Sequence, residues 1–266
     1  MIINKFLLQS QRTIQCLALV ALISSATPVW AQEGDDQATA GAEKSAGFTS
    51  IFNGTDLSGW DGDPQFWKVT NGAIVGQTTE EVKAERNTFL LHEGEYADFE
   101  LRFSYQVEKF NSGMQYRSAA TEKWFVKGYQ ADFEARWHDD GKADKFSGMF
   151  FEENGRMFMG QRGDVVVVRS AADGEEDPQI EKIASVGDPQ MLEKAIRRTG
   201  WNDYIIIARG YQFTHIINGQ VMSIGFDEDK SNRKRSGAFA LQLHSGPAMK
   251  IMVKNIRVRE LNEDED

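Results

Sequence analysis

The chain has 266 residues, with 30 Lys and Arg against 40 Asp and Glu and a formal net charge of −10. That length suits one large domain or two small ones, and the acidic balance argues against duplex nucleic acid and anionic membrane surfaces as partners. A 41% hydrophobic share with 11% aromatic residues excludes a wholly disordered chain, and the single cysteine, Cys16, excludes an internal disulfide, a zinc–thiolate cluster and an iron–sulfur centre.

Taken in chain order, Lys5 and Arg12 give a basic start, and the stretch from Ile14 to Ile23 is apolar and uncharged. Small residues follow, and Val29-Trp30-Ala31 offers a small side chain at −3 and −1, so the segment 1–31 reads as a secretory signal peptide cleaved after Ala31. The apolar run is shorter than the roughly 20 residues a membrane span needs, and Cys16 is not preceded by a lipobox. The expectation is an exported protein, periplasmic or extracellular, with no membrane anchor after cleavage. Loss of Lys5 and Arg12 would move the net charge from −10 to −12. Residues 32–46 are small, polar and acidic and read as a flexible linker to a folded domain at 47–261, and Asn262 to Asp266 read as a solvated acidic end.

From Gly47 onward the pattern has period two, broken at short intervals by turn residues. The span 98–107 is the clearest case, with Phe99, Leu101, Phe103, Tyr105 and Val107 on one face and Glu100, Arg102, Ser104 and Gln106 on the other. Asn71-Gly72 and Asn218-Gly219 predict two-residue hairpins, because both central positions of such a turn take positive φ. Further strands are expected at 113–117, 127–134, 148–153, 165–169, 204–209, 237–244 and 249–258. One helix is expected where Asp188 can cap, Pro189 can open and Gly200 can end a segment with Met191, Leu192, Ala195 and Ile196 at helical spacing. Ten or so strands, one short helix and no βαβ rhythm predict an all-β, antiparallel jelly-roll sandwich forming one domain.

No GxSxG, HExxH, P-loop, GxGxxG or EF-hand signature is present, and the acidic turns at Asp61-Gly62-Asp63 and from Asp173 to Asp177 read as solvated. The informative feature is polar residues on alternating strands. Gln115 and Arg117 share a face in 113–117, and Gln130, Asp132 and Glu134 share one in 128–134. Glu152 and Glu153 point oppositely, so at most one enters a common groove. Ala238, Ala240, Gln242 and His244 line one side of their strand, the small alanines leaving room for a ligand. For each strand alone, a wetted sheet face explains the pattern equally well. His92, His138 and His215 read as structural or solvated. Trp60, Trp67 and Trp201 read as core, with Trp124 and Trp137 the better platforms for a sugar ring.

The chain resembles the 3-keto-disaccharide hydrolase family. The resemblance rests on the NGxDLxGW run at Asn53–Trp60, on Trp67–Gly76, on Asn87-Thr88-Phe89-Leu90, and on the NSGxQYR block at Asn111–Arg117. It continues through Gly128–Asp132, Glu152–Arg156, Trp201–Tyr204 and Leu241–Gly246, and so covers nearly all of 47–261 in order. It implies a concanavalin A-like fold and cleavage of glycosides whose sugar carries a C3 ketone, made by a partner dehydrogenase. Such a ketone acidifies the C2 proton, a base forms the enolate, the C1 aglycone leaves, and water adds to the product. On that chemistry and on strand parity, Glu152 and His244 are the base and acid candidates and Arg117 the anchor for enolate or substrate. Gln115, Gln130 and Gln242 would bind hydroxyls, Asp132 would orient them, and Trp124 would carry a ring. A divalent metal held by Glu, Asp and His is an open addition. The alternatives are a non-catalytic carbohydrate-binding module of lectin or laminin G type, and a conventional glycosidase using Glu152 with Asp132.

Overall fold

A computed structural model describes residues 46–135 and 145–261. The expected signal peptide, the linker up to residue 45, Trp137, His138 and residues 262–266 lie outside the described residues. No helix among the described residues is long and apolar enough to cross a membrane.

The described chain forms two packed sheets. The first contains β1 (Thr49–Ser50), β3 (Trp67–Thr70), β4 (Ala73–Gln77), β6 (Phe99–Lys109), β11 (Asp164–Arg169), β12 (Gln179–Ser185), β13 (Asn202–Arg209), β14 (Gln212–Ile217), β15 (Gln220–Asp227) and β17 (Lys250–Glu260). Its order is β12-β11-β15-β14-β13-β6-β17-β4-β3, with β1 also on β17. The second contains β2 (Trp60–Asp61), β5 (Thr88–Tyr96), β7 (Asn111–Glu122), β8 (Phe125–Glu134), β9 (Phe150–Glu153), β10 (Met157–Gly160) and β16 (Gly237–Leu243), in the order β10-β9-β8-β7-β16-β5-β2. Pairing is antiparallel except between β11 and β15, which run parallel.

Alternation explains the core. Phe99, Leu101, Phe103 and Tyr105 of β6 face Tyr116 of β7, Tyr129 and Phe133 of β8, Phe150 of β9 and Phe239 of β16, all buried. These rings meet edge-on or stacked, as with Phe99 and Phe239 at 4.8 Å and Tyr105 and Phe133 at 4.6 Å between centroids. Each fully buried side chain of this kind contributes about 1.5–3 kcal/mol. Both Asn-Gly turns form as expected, with φ of 52° and 75° at Asn71 and Gly72 and 48° and 78° at Asn218 and Gly219.

Three expectations are corrected. There are seventeen strands among the described residues, not ten or so, because β1 and β2 are only two residues long and β5, β10 and the exposed edge strand β12 lack a clean alternation. The helix, α1 (Pro189–Glu193), is shorter than its sequence cues. Asp188 caps it by accepting from the Gln190 and Met191 amides at 3.0 Å. It then unwinds well before Gly200, where Asn202 accepts from the Arg197 amide at 2.8 Å. Trp201 is half-buried on an outer sheet face, while Trp60 and Trp67 lie in the core as expected.

Candidate functional site

The outer face of the seven-stranded sheet is polar at its centre, although its side chains are buried. What covers part of it is the tip of the β7–β8 hairpin. The ladder between these strands slips after Tyr116 and again after Ala120, and Arg117 takes φ 47° at the first slip. Gly128 makes the bend possible opposite, since a Cβ there would stand 2.2 Å from Ser118 Oγ. The tip therefore leans over β16 to reach β5 and β2. The Phe89 amide donates to the Trp124 carbonyl at 3.0 Å, and Trp124 Nε1 donates to Asp61 Oδ1 at 3.2 Å. Phe89, Val126 and Ala240, with Leu91 and Phe125, form a small apolar cluster under it. The Arg86 guanidinium closes this end, 4.6 Å over the Phe125 ring and 2.7 Å from Glu122.

Beside that cluster lies a polar floor. Ala240, Gln115, Gln130 and Phe151 are successive cross-strand partners on β16, β7, β8 and β9. The amides run in one direction: Ser118 Oγ donates to Gln115 Oε1 at 3.3 Å, Gln115 Nε2 donates to Gln130 Oε1, and Gln130 Nε2 donates to Asp132 Oδ1 at 2.6 Å. Gly113 leaves the room Gln130 needs, since a Cβ there would lie 2.5 Å from that side chain. Next to the row, Glu153 is held by Asn87 Nδ2 at 3.0 Å and Gln242 Nε2 at 2.9 Å. Glu134 Oε2 accepts from the Lys145 and Phe146 amides at 3.0 Å and so ties the chain at 145–146 to the same face.

Burial pushes the Asp132 carboxyl well above the usual carboxylate range. The Gln130 bond opposes this, and the charges of Glu153 and Glu134 add to it. Burial also raises Glu153, against its bonds from Asn87 and Gln242 and the nearby His244. His244 follows β16, half-buried, its ring edge-on to Phe110 at 4.9 Å. Its Nδ1 lies 2.6 Å from the Ser245 carbonyl oxygen. A carbonyl only accepts, so Nδ1 carries the hydrogen and Nε2 of the neutral ring is left to take a proton.

Sequence parity thus brings Gln115, Gln130, Asp132, Gln242 and His244 to one face, with Trp124 in the cover. Two expected members are elsewhere. Glu152 is registered with Tyr129 on the core side of β9, where Arg156 Nε donates to it at 2.5 Å. Arg156 also binds Asp227 at 2.7 Å and Asp229 at 3.2 Å, so Glu152 belongs to a buried ion cluster at the sandwich edge. The residue on the face of the polar floor is Glu153.

Arg117 is the second correction. The ladder slip turns it away from Gln115 and toward the ten-stranded sheet. There its guanidinium donates to the Ala97 carbonyl at 2.7 Å, to Gly210 at 2.6 Å and to Asp98 at 2.7 Å, 5.1 Å over the Phe213 ring. It ties the two sheets together and does not reach the polar floor. Asn87 is a floor residue that sequence reasoning misses, and Glu134, which parity puts on this face, is given no role there. Asn87 precedes its strand, where alternation has no say. Glu134 had the right parity, and its partners are backbone amides.

His215 is buried and structural, as expected, 3.0 Å from Tyr116 Oη and 3.0 Å from the Met149 carbonyl, with burial lowering its pKa to about 4. Among the described residues, no group of three or more His, Cys, Asp or Glu is gathered in a way that could hold a metal ion.

A family model described as a 3-keto-alpha-glucoside-1,2-lyase-like domain matches residues 47–259. Among solved structures, one from Parabacteroides distasonis ATCC 8503 with a provisional glycosyl hydrolase label is 18% identical, with a TM-score of 0.52 over 83% of this chain and 97% of that one. A second from that organism, labelled likewise, is 16% identical with a TM-score of 0.51, over 80% and 99% of the two chains. A Bacillus subtilis protein with a galectin-like fold is 10% identical with a TM-score of 0.51, over 80% and 94%. At these identities the likeness is one of fold. No curated protein matches.

Proposed function

Because this chain belongs to the 3-keto-alpha-glucoside-1,2-lyase-like domain family, we propose that it cleaves glycosides oxidised to a ketone at C3, by eliminating the C1 aglycone. Family membership makes it a carbohydrate-active protein, and the groove chemistry supports the finer reading.

The observation that carries it is the meeting, on one sheet face, of a proton acceptor, His244 Nε2, with a carboxyl, Glu153, that burial holds toward its acid form. His244 takes the C2 proton, which the C3 ketone has made acidic. The electron pair left at C2 is delocalised onto the ketone oxygen as an enolate. Asp132, buried and held toward its protonated form, donates to that oxygen. As the enolate collapses, the C1–C2 double bond forms, the bond from C1 to the glycosidic oxygen breaks, and the Glu153 proton passes to the leaving oxygen. Gln242 Oε1, buried and without a partner among the described residues, accepts from a sugar hydroxyl. Addition of water at C1 would complete a net hydrolysis. The substrate implies a partner dehydrogenase acting on the C3 hydroxyl of a glycoside, and cleavage of the expected signal peptide after Ala31 would bring both together outside the cytoplasm.

The test is incubation of the purified chain with a 3-keto-α-glucoside and with its unoxidised parent, following aglycone release. Release from the keto sugar alone, slowed when C2 carries deuterium, is the expected result. Release from the parent glucoside moves the case to conventional hydrolysis. Binding without release makes the domain a sugar-binding module.

A further inference from the structure

The opposite side of the sandwich carries a second groove. On the outer face of the ten-stranded sheet, Lys68, Val75, Met252 and Gln106 are successive cross-strand partners on β3, β4, β17 and β6. Gln77 and Lys250 pair in the next row, and Lys254 lies two residues further along β17. The inward neighbours Trp67, Ile74, Ile251 and Val253 are core residues, so this row faces away from the other sheet. Short side chains at Ala73 and Val75 lower the middle, and Trp201 stands at the start of β13 to form one wall. The result is an open groove of about 490 Å³.

Its chemistry is unlike the rest of this acidic chain. Three lysines rim it. Lys250 is paired with Glu108 at 2.6 Å, while Lys68 and Lys254 have no carboxylate partner among the described residues. Lys254 Nζ lies 4.5 Å over the Trp201 ring, which fixes the indole and leaves the ammonium at the groove. Gln77, Gln106 and Asn71 supply amides that can both donate to and accept from hydroxyls. At physiological ionic strength charges beyond about 8 Å are largely screened, so the local lysines set the sign of what binds despite the net charge of −10.

We propose that this groove is a second carbohydrate-binding site, for oligosaccharides that carry carboxylates, and that it holds a uronate-containing chain by Lys68 and Lys254 with a sugar ring against Trp201. Asn71, Gln77 and Gln106 beside the ring of Trp201 offer donors and acceptors for the hydroxyls of such a chain.

The experiment is titration of the full chain with tetragalacturonate, reading Trp fluorescence and heat, beside cellotetraose and a short oligothymidylate. Tetragalacturonate should bind and the other two should not, with affinity falling as salt is raised. K68A and K254A should each weaken binding about fivefold, the upper range for an exposed charge pair, with Tm unchanged. W201A should remove the fluorescence response. Equal binding of cellotetraose, equal binding of the oligothymidylate, no binding at millimolar tetragalacturonate, or unaltered affinity in K68A and K254A each overturns the proposal. Turnover of the 3-keto-glucoside is read separately on the same variants. Because this groove lies on the other sheet, the outcome for one site leaves the outcome for the other standing.

Discussion

Glu152 and Glu153 are chain neighbours that serve opposite faces of one sheet. The first is clamped by Arg156 at 2.5 Å on the core side, and the second is held by Asn87 at 3.0 Å and Gln242 at 2.9 Å on the groove side. Replacing each by glutamine separates the two roles. E153Q keeps the size of the side chain and one of the two hydrogen bonds it accepts but cannot release a proton, so turnover of the keto-glucoside should fall about 100-fold or more, with a much smaller effect on Tm. E152Q leaves Arg156 with one fewer counter-charge and should lose stability in a urea titration while the folded fraction turns over normally. The reverse pattern would return Glu152 to the catalytic role.

Arg117 should behave as a structural tie. Its side chain is fully buried and joins Asp98 at 2.7 Å to the backbone at Ala97 and Gly210. R117A leaves Asp98 with Arg235 as its remaining guanidinium partner and takes the donor from three half-buried carbonyls, those of Ala97, Gly210 and Lys234, so unfolding should become easier by about 3–5 kcal/mol. Chemical denaturation measures this directly, and a variant as stable as the parent but inactive would make Arg117 a substrate anchor after all.

Asp132 makes a pH prediction whose sign is fixed. Its folded pKa lies above its ordinary value near 3.8, so between those two values the folded state binds more protons than the unfolded one. Stability then falls as pH rises above about 4. D132N removes this titration, and urea midpoints from pH 4 to 8 should decline less in the variant than in the parent. A steeper decline in D132N would mean that the carboxylate is stabilised by the fold.

Gly113 tests the amide row without touching a proposed catalytic group. An alanine there would bring its Cβ to 2.5 Å from Gln130. Gly113 is not at positive φ, so displacement of Gln130 is the main effect. G113A should lower turnover about tenfold at a stability cost of roughly 1–3 kcal/mol, the range for overpacking a filled site. Steady-state kinetics beside thermal unfolding would reveal the split, and unchanged kinetics would make the row dispensable.

The leader is tested by N-terminal sequencing of material recovered outside the cytoplasm. It should begin at Gln32, and recovery of Met1 would overturn processing after Ala31.

The sandwich was legible because alternation is strict wherever one face is core, as from Phe99 to Tyr105, and because Asn-Gly turns demand positive φ. β12 was not legible, since Ile180 and Ile183 are among its exposed side chains and no face of it is core. On the outer face of the seven-stranded sheet, parity and structure agree that Gln130, Asp132 and Gln242 lie together, with His244 just beyond β16. Parity failed at Arg117 because a ladder slip intervenes between Tyr116 and Ala119, and a slip exchanges the faces of everything beyond it. It put Glu152 in the site in place of Glu153, because only the register with Tyr129 and Gly128 distinguishes the two.

The bend of the β7–β8 hairpin has a consequence for how this domain diversifies. One continuous ribbon, from Asn111 to Glu134, supplies both the polar floor through Gln115, Gln130 and Asp132 and the overhanging tip through Trp124, Phe125 and Val126. Substitutions confined to the few residues of the tip would reshape what this face admits while leaving the amide row and Asp132 intact. Grafting the ribbon between relatives would carry selectivity together with Asp132 and the amide row, while Glu153 on β9 and His244 after β16 stay with the recipient.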